Sequence, residues 1–179
     1  MTPADVLAFW FEETRPAQWW AKSADFDRAI EARFGALHAA ASRCELHAWR
    51  ASADGRLAEI LVLDQFPRNI FRDRPESFAT DALALALAQE AVAAGADSAL
   101  DPARCAFLYM PYMHSESPLI HAQAVQLFAA RGLESNLAFE RRHQAIIDRF
   151  GRYPHRNAIL GRQSTPEEIE FLKTPGSGF

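Results

Sequence analysis

Apolar residues recur every three or four positions along most of this chain, the spacing that gathers them on one face of an α-helix. Val6, Leu7, Trp10 and Phe11 form the first such stripe, after a capping Thr2 and a proline at the first helical position, and it runs until Pro16. A second helix starts near Ser23 to Asp25 and carries Phe26, Ile30, Phe34, Leu37 and Ala41 on one side. A short segment through Leu46 and Trp49 leads to Asp54-Gly55, which reads as a turn. From Arg56 to Gln65 the chain is apolar almost all round, so periodicity alone fits a buried helix or a buried strand. Helix is the better assignment, because every neighbour is helical and no second strand is available for pairing. Pro67 is expected to end it.

Punctuation continues the pattern. An Ala- and Leu-rich helix is predicted from Phe78 to Ala94, closed by Gly95. Asp101-Pro102 opens a helix through Phe107, Leu108 and Met110 that Pro111 breaks or kinks. Ser117-Pro118 starts another, with Val125 and Phe128, ending at Gly132. Ser135 is the expected cap of a helix to Phe150, stopped by Gly151, and Thr165-Pro166-Glu167-Glu168 is a capping box. The fold class predicted is all-α: one domain over residues 1–179, an array of about eight antiparallel helices.

Composition narrows the function classes. With 49% hydrophobic residues, 13 Phe and 4 Trp in 179 residues, the chain can bury a core, which excludes global disorder. No apolar run is long enough to span a bilayer. A net charge of −4 argues against a general nucleic-acid surface. Of 19 basic residues only Lys22 and Lys173 are lysines, so arginine, the better fork for carboxylates and phosphates, supplies nearly all positive charge. Cys44 and Cys105 form no close motif and read as reduced thiols. The first residues lack the basic start of a signal peptide, which points to the cytoplasm. Trp10, Trp19 and Trp20 exceed what one short helix needs, so they predict either core burial or a contact in a homo-oligomer, core burial being favoured.

Three segments carry candidate chemistry. In Asp64-Gln65-Phe66-Pro67-Arg68-Asn69 a carboxylate follows the most apolar helix, and a buried carboxylate needs a partner such as Arg68. In Met110-Pro111-Tyr112-Met113-His114-Ser115-Glu116-Ser117 a proline presents His114 and Glu116. Their i,i+2 spacing does not share a helical face, so no metal is assigned, and no cofactor fingerprint occurs. The third segment is the most basic: Arg141, Arg142, His143, Arg149, Arg152, His155, Arg156 and Arg162, with Asn157, around Gly151, Pro154 and Gly161. His143 lies on a stripe with Phe139, Ile146, Ile147 and Phe150, which reads first as a core histidine. Asp148 is the local counter-charge.

These blocks, with Val6-Leu7-Ala8-Phe9-Trp10-Phe11, Trp19-Trp20, Leu160-Gly161-Arg162 and Ser164-Thr165, resemble the signature blocks of the bacterial domain of unknown function 924 family, nearly end to end. The resemblance implies an all-α, tetratricopeptide-like arrangement and no assigned reaction, so no catalytic residue is inherited. The chain itself lacks that repeat's Trp, Leu-Gly and Tyr spacing. Where the family often has a glycine after the second helix, this chain has Cys44, which leaves that helix end open.

The leading functional expectation is an Arg- and His-lined cleft that binds an anionic small molecule or a peptide carboxylate. Its candidate residues are Asp64, Gln65, Arg68, Asn69, His114, Glu116, His143, Arg152, His155, Arg156, Asn157 and Arg162. Two alternatives stand beside it: a hydrolase using His114 or His143 with Asp64 or Glu116, and ion networks that only hold helices together.

Overall fold

The structure is a computed structural model and describes residues 1–178; Phe179, the last position of the expected domain, lies outside the described residues. All regular secondary structure among the described residues is helical, with no strand. In chain order the α-helices are α1 Pro3–Ala8, α2 Pro16–Trp19, α3 Ala24–Ser42, α4 Ala53–Asp64, α5 Phe66–Ile70, α6 Asp81–Ala93, α7 Pro102–Met113, α8 Pro118–Ala130, α9 Glu134–Phe150 and α10 Pro166–Leu172.

Several boundaries differ from the sequence reading for local reasons. The first helix changes at Phe9 into a π-helical turn, Phe9–Glu13. Asp54-Gly55 is not a turn but the first turn of α4, capped by Ser52, whose hydroxyl accepts the Gly55 N–H at 3.1 Å. Gly55 is needed there because a Cβ would collide with the Trp49 carbonyl. Pro67 does not stop the chain's helical course: it sits in the first turn of α5, where its missing N–H costs nothing. Pro111 lies inside α7, which runs on to Met113. The Ala/Leu-rich helix begins at Asp81, after a 3₁₀ turn Pro75–Phe78. Helix α9 starts at Glu134 without a side-chain cap, so Ser135 is not its N-cap.

Helix α3 ends in a Schellman motif. The Cys44 N–H donates to the Ala41 carbonyl at 2.8 Å and the Glu45 N–H to the Ala40 carbonyl at 3.1 Å, with Cys44 at φ 60. Cys44 thus adopts the left-handed backbone for which glycine is the usual residue.

The chain divides into two compact units, Met1–Arg72 with Glu76–Pro111, and Asp73–Pro75 with Tyr112–Phe179. In the first, α4 is the central element: Leu57 and the run Ile60 to Leu63 are fully buried, with α1, α3, α5 and α6 packed around it. Trp10 is buried among Trp19, Phe26, Phe66 and Phe107, whereas Trp20 is 63% exposed and stacks on Phe107. In the second, α8 packs on α9, and Ile146, Ile147 and Tyr153 form a core joined by Phe150 and Phe171.

Candidate functional site

Within the first unit, the end of α4 and the start of α5 form a buried polar corner. Asp64 is inaccessible, and Gln65 Nε2 donates to its Oδ2 at 2.6 Å and to the Met110 sulfur at 3.3 Å. Arg68 donates to the Asp64 main-chain carbonyl and reaches Asp81 of α6 at 3.1 Å. Asn69 and Arg72 both grip Asp27 of α3, Asn69 at 2.8 Å and Arg72 at 2.6 and 2.7 Å. Burial opposes ionisation of Asp27, but these donors outweigh it and hold its carboxyl below the usual range. Asp64, Gln65, Arg68 and Asn69 therefore tie α5 to α3, α4 and α6.

The second unit brings the other candidates together around Tyr153, two residues after the α9 stop. Gly151, at φ 68, ends α9, and the chain turns so that Tyr153 enters the core. The Tyr153 hydroxyl donates to the Met113 carbonyl at 2.6 Å and its N–H to Glu116 Oε1 at 2.8 Å. The rings of His121, His143 and His155 pack against it with centroids at 6.2, 5.8 and 5.5 Å, and the Arg156 guanidinium lies 4.7 Å from its centroid. Arg156 also donates to the His114 carbonyl at 3.1 Å.

Two carboxylates organise the arginines. Glu116 takes both Arg162 amino groups, at 2.6 and 2.9 Å, and also lies in the field of Arg156. Burial raises its carboxyl, yet the Arg162 fork and the Tyr153 N–H together hold it below the usual range. Arg162 is aimed by another Schellman turn: the Arg162 N–H donates to the Asn157 carbonyl at 2.8 Å past Gly161 at φ 66, while its Nε donates to Asn157 Oδ1 at 3.0 Å. Glu168, buried in the first turn of α10, binds Arg152 at 2.7 and 2.8 Å, accepts the Thr165 N–H at 2.7 Å and Asn157 at 3.3 Å. Chiefly the Arg152 fork brings its carboxyl down to about 2. Arg149 is taken by exposed Glu167.

His143 Nδ1 donates to the Phe139 carbonyl at 2.8 Å. Burial, only partly offset by that bond, lowers its pKa to about 3, so the ring is neutral near pH 7 and a weak base. Of the expected face, His143, Ile146 and Ile147 are buried and Phe150 packs against the core, but Phe139 is 51% exposed, and Leu137 and Glu140 complete the buried stripe instead. His114 and His155 are half-buried. Among the described residues, no three of His, Cys, Asp and Glu converge as a metal site would require.

Comparison with known proteins gives the chain its relatives. Residues 6–176 match the family described as bacterial protein of unknown function, domain of unknown function 924. The chain belongs to that family. No curated protein matches it. A solved structure of a protein of unknown function from Agrobacterium tumefaciens is 41% identical and superposes with a TM-score of 0.91, covering 96% of each chain.

In this member of the 924 family, four residues outside the candidate set take central places: Tyr153, Glu168, and the buried pair His121 and Glu140. Their spacings held the signal. Glu140 falls between Leu137 and Ile147 on the apolar side of α9, and His121 shares a face with Ala124 and Phe128. Glu168 was visible as the third position of the capping box, but its Arg152 partner lies 16 residues away.

Proposed function

We propose that the second unit is a binding module, in a cytoplasmic protein, for a small anion or a carboxylate-bearing ligand. One observation carries this reading: the guanidiniums of Arg162 and Arg156 gather on one face around the Glu116 carboxylate. Arg156 rests on the Tyr153 face, which keeps the cation in a partly desolvated place where its field is strong. His114 and His155, half-buried beside it, can donate N–H groups to an anion approaching from solvent. Arg152 and Asn157 frame this face through Glu168. Asp64, Gln65, Arg68 and Asn69 have a bracing role in the first unit and are not assigned to the ligand. The anion reading is preferred to hydrolysis because His143 is a weak base and Glu116 already accepts three donors. The tetratricopeptide-like arrangement implied by the family belongs to the same proposal.

Calorimetric titration with inorganic phosphate and with acetate tests it. Saturable binding to the native chain should weaken about ten-fold or more in Arg156→Gln and survive in Arg156→Lys. Absence of binding at millimolar anion, or equal binding by the glutamine variant and by His155→Gln, would overturn it.

A further inference from the structure

The most enclosed ionisable groups of the second unit are not on the anion face at all. His121 on α8 and Glu140 on α9 are both completely buried, and they meet where the two helices pack, Nδ1 to Oε1 at 2.6 Å. The other ring nitrogen, Nε2, lies 2.8 Å from the Ser115 carbonyl and 3.3 Å from the Tyr153 hydroxyl oxygen. That hydroxyl gives its own proton to the Met113 carbonyl, so both neighbours of Nε2 act as acceptors. Nε2 therefore carries a hydrogen. The short Nδ1–Oε1 line needs exactly one more, since without it a nitrogen lone pair would face a carboxylate. Where that proton rests follows from the other oxygen: Glu140 Oε2 is buried with no hydrogen-bond partner, a costly position for a full negative charge. Burial also raises the Glu140 carboxyl, against the opposing pull of His121.

We propose that Glu140 and His121 form a neutral couple, a glutamic acid donating to a neutral imidazole, which latches the Ser115 turn onto α8. The turn carries His114 and Glu116, so the latch positions the half-exposed face described above without touching a ligand. Proton counting sets its pH response. Folded, the couple holds two protons. Unfolded, the same two residues hold three below the ordinary glutamate value of 4.5, two between 4.5 and 6.5, and one above the ordinary histidine value of 6.5. The latch thus stabilises most between those values and loses strength on either side, with unfolding favoured about ten-fold per pH unit on the alkaline side while the couple keeps its proton. The titratable groups against the couple are Tyr153, whose hydroxyl oxygen lies 3.3 Å from Nε2, and His143 of α9, which is electrostatically coupled to His121; His114 and His155 act on His143, and Arg156 lies over the Tyr153 ring.

Glu140→Gln isolates the effect, because its amide N–H can replace the acid O–H while every facing group is retained. Urea unfolding across pH should show the wild-type unfolding constant rising about ten-fold per unit above about pH 6.5 relative to the glutamine variant. Parallel curves would overturn the proposal. Nitrogen-15 spectra of the wild-type His121 ring give a second readout that does not depend on the variant folding. A neutral Nε2–H imidazole, unchanged from about pH 5 to about pH 8, is the expected result. An imidazolium signature, or titration like a solvent-exposed histidine, refutes the neutral couple. Neither readout involves added anion, so failure here and failure of the anion reading are separate results.

Discussion

At the scale of single residues, the arginines of this chain are defined by the carboxylates they meet. Glu168 is the clearest case: Arg152, the Thr165 N–H and Asn157 all donate to it. Its carboxyl is lowered from the ordinary 4.5 to about 2, so the unfolded chain takes up a proton at a pH where the folded one does not. Its contribution to stability is therefore complete above 4.5 and drains away as pH falls toward 2. Glu168→Gln should cost about 2 kcal/mol near neutrality. It should also flatten the loss of stability between about pH 5 and about pH 3, as measured by urea midpoints. Asp148 is the local counter-charge that the sequence offers for part of this segment, and Glu116, Glu167 and Glu168 supply more, binding Arg162, Arg149 and Arg152.

At the scale of elements, helix ends are where local backbone energy is most exposed. Cys44 and Gly151 both occupy left-handed positions after long helices, one with a Cβ and one without. A Cβ at Gly151 would meet nothing within 4 Å, so Gly151→Ala isolates the backbone strain, about 1–2 kcal/mol of destabilisation. Cys44→Gly should act in the opposite sense, stabilising by about 1 kcal/mol, because exposed Cys44 loses little contact when its side chain is removed. Chemical denaturation of both variants checks the pair, and equal signs would contradict this account of the two caps. The stops at Gly132 and Gly151 and the capping box at Thr165 were legible in sequence because each depends on a few adjacent residues. The two prolines act differently: α4 ends at Asp64, ahead of Pro67, whose ring fits the first turn of α5, whereas Pro111 does not break α7, which continues to Met113.

At the scale of the molecule, stability is expected to be uneven. Helix α4 is buried from Leu57 to Asp64 within its unit, so its central amides should exchange with solvent only on global unfolding of that unit. Leu61→Ala there should cost about 2–5 kcal/mol. Short α10, with Ile169 and Leu172 exposed, should open locally, and hydrogen-exchange mass spectrometry distinguishes the two behaviours. The sequence by itself determined the helical class, most helix positions and the three polar segments, because periodicity, caps and turn residues act over a few neighbouring positions. Only the tertiary structure decided that Arg162 pairs with Glu116, 46 residues earlier, and that His121 meets Glu140 out of reach of water. Those choices belong to packing: which charged side chain is enclosed, and what stands opposite it, depends on elements that are distant in the chain and adjacent only once it has folded.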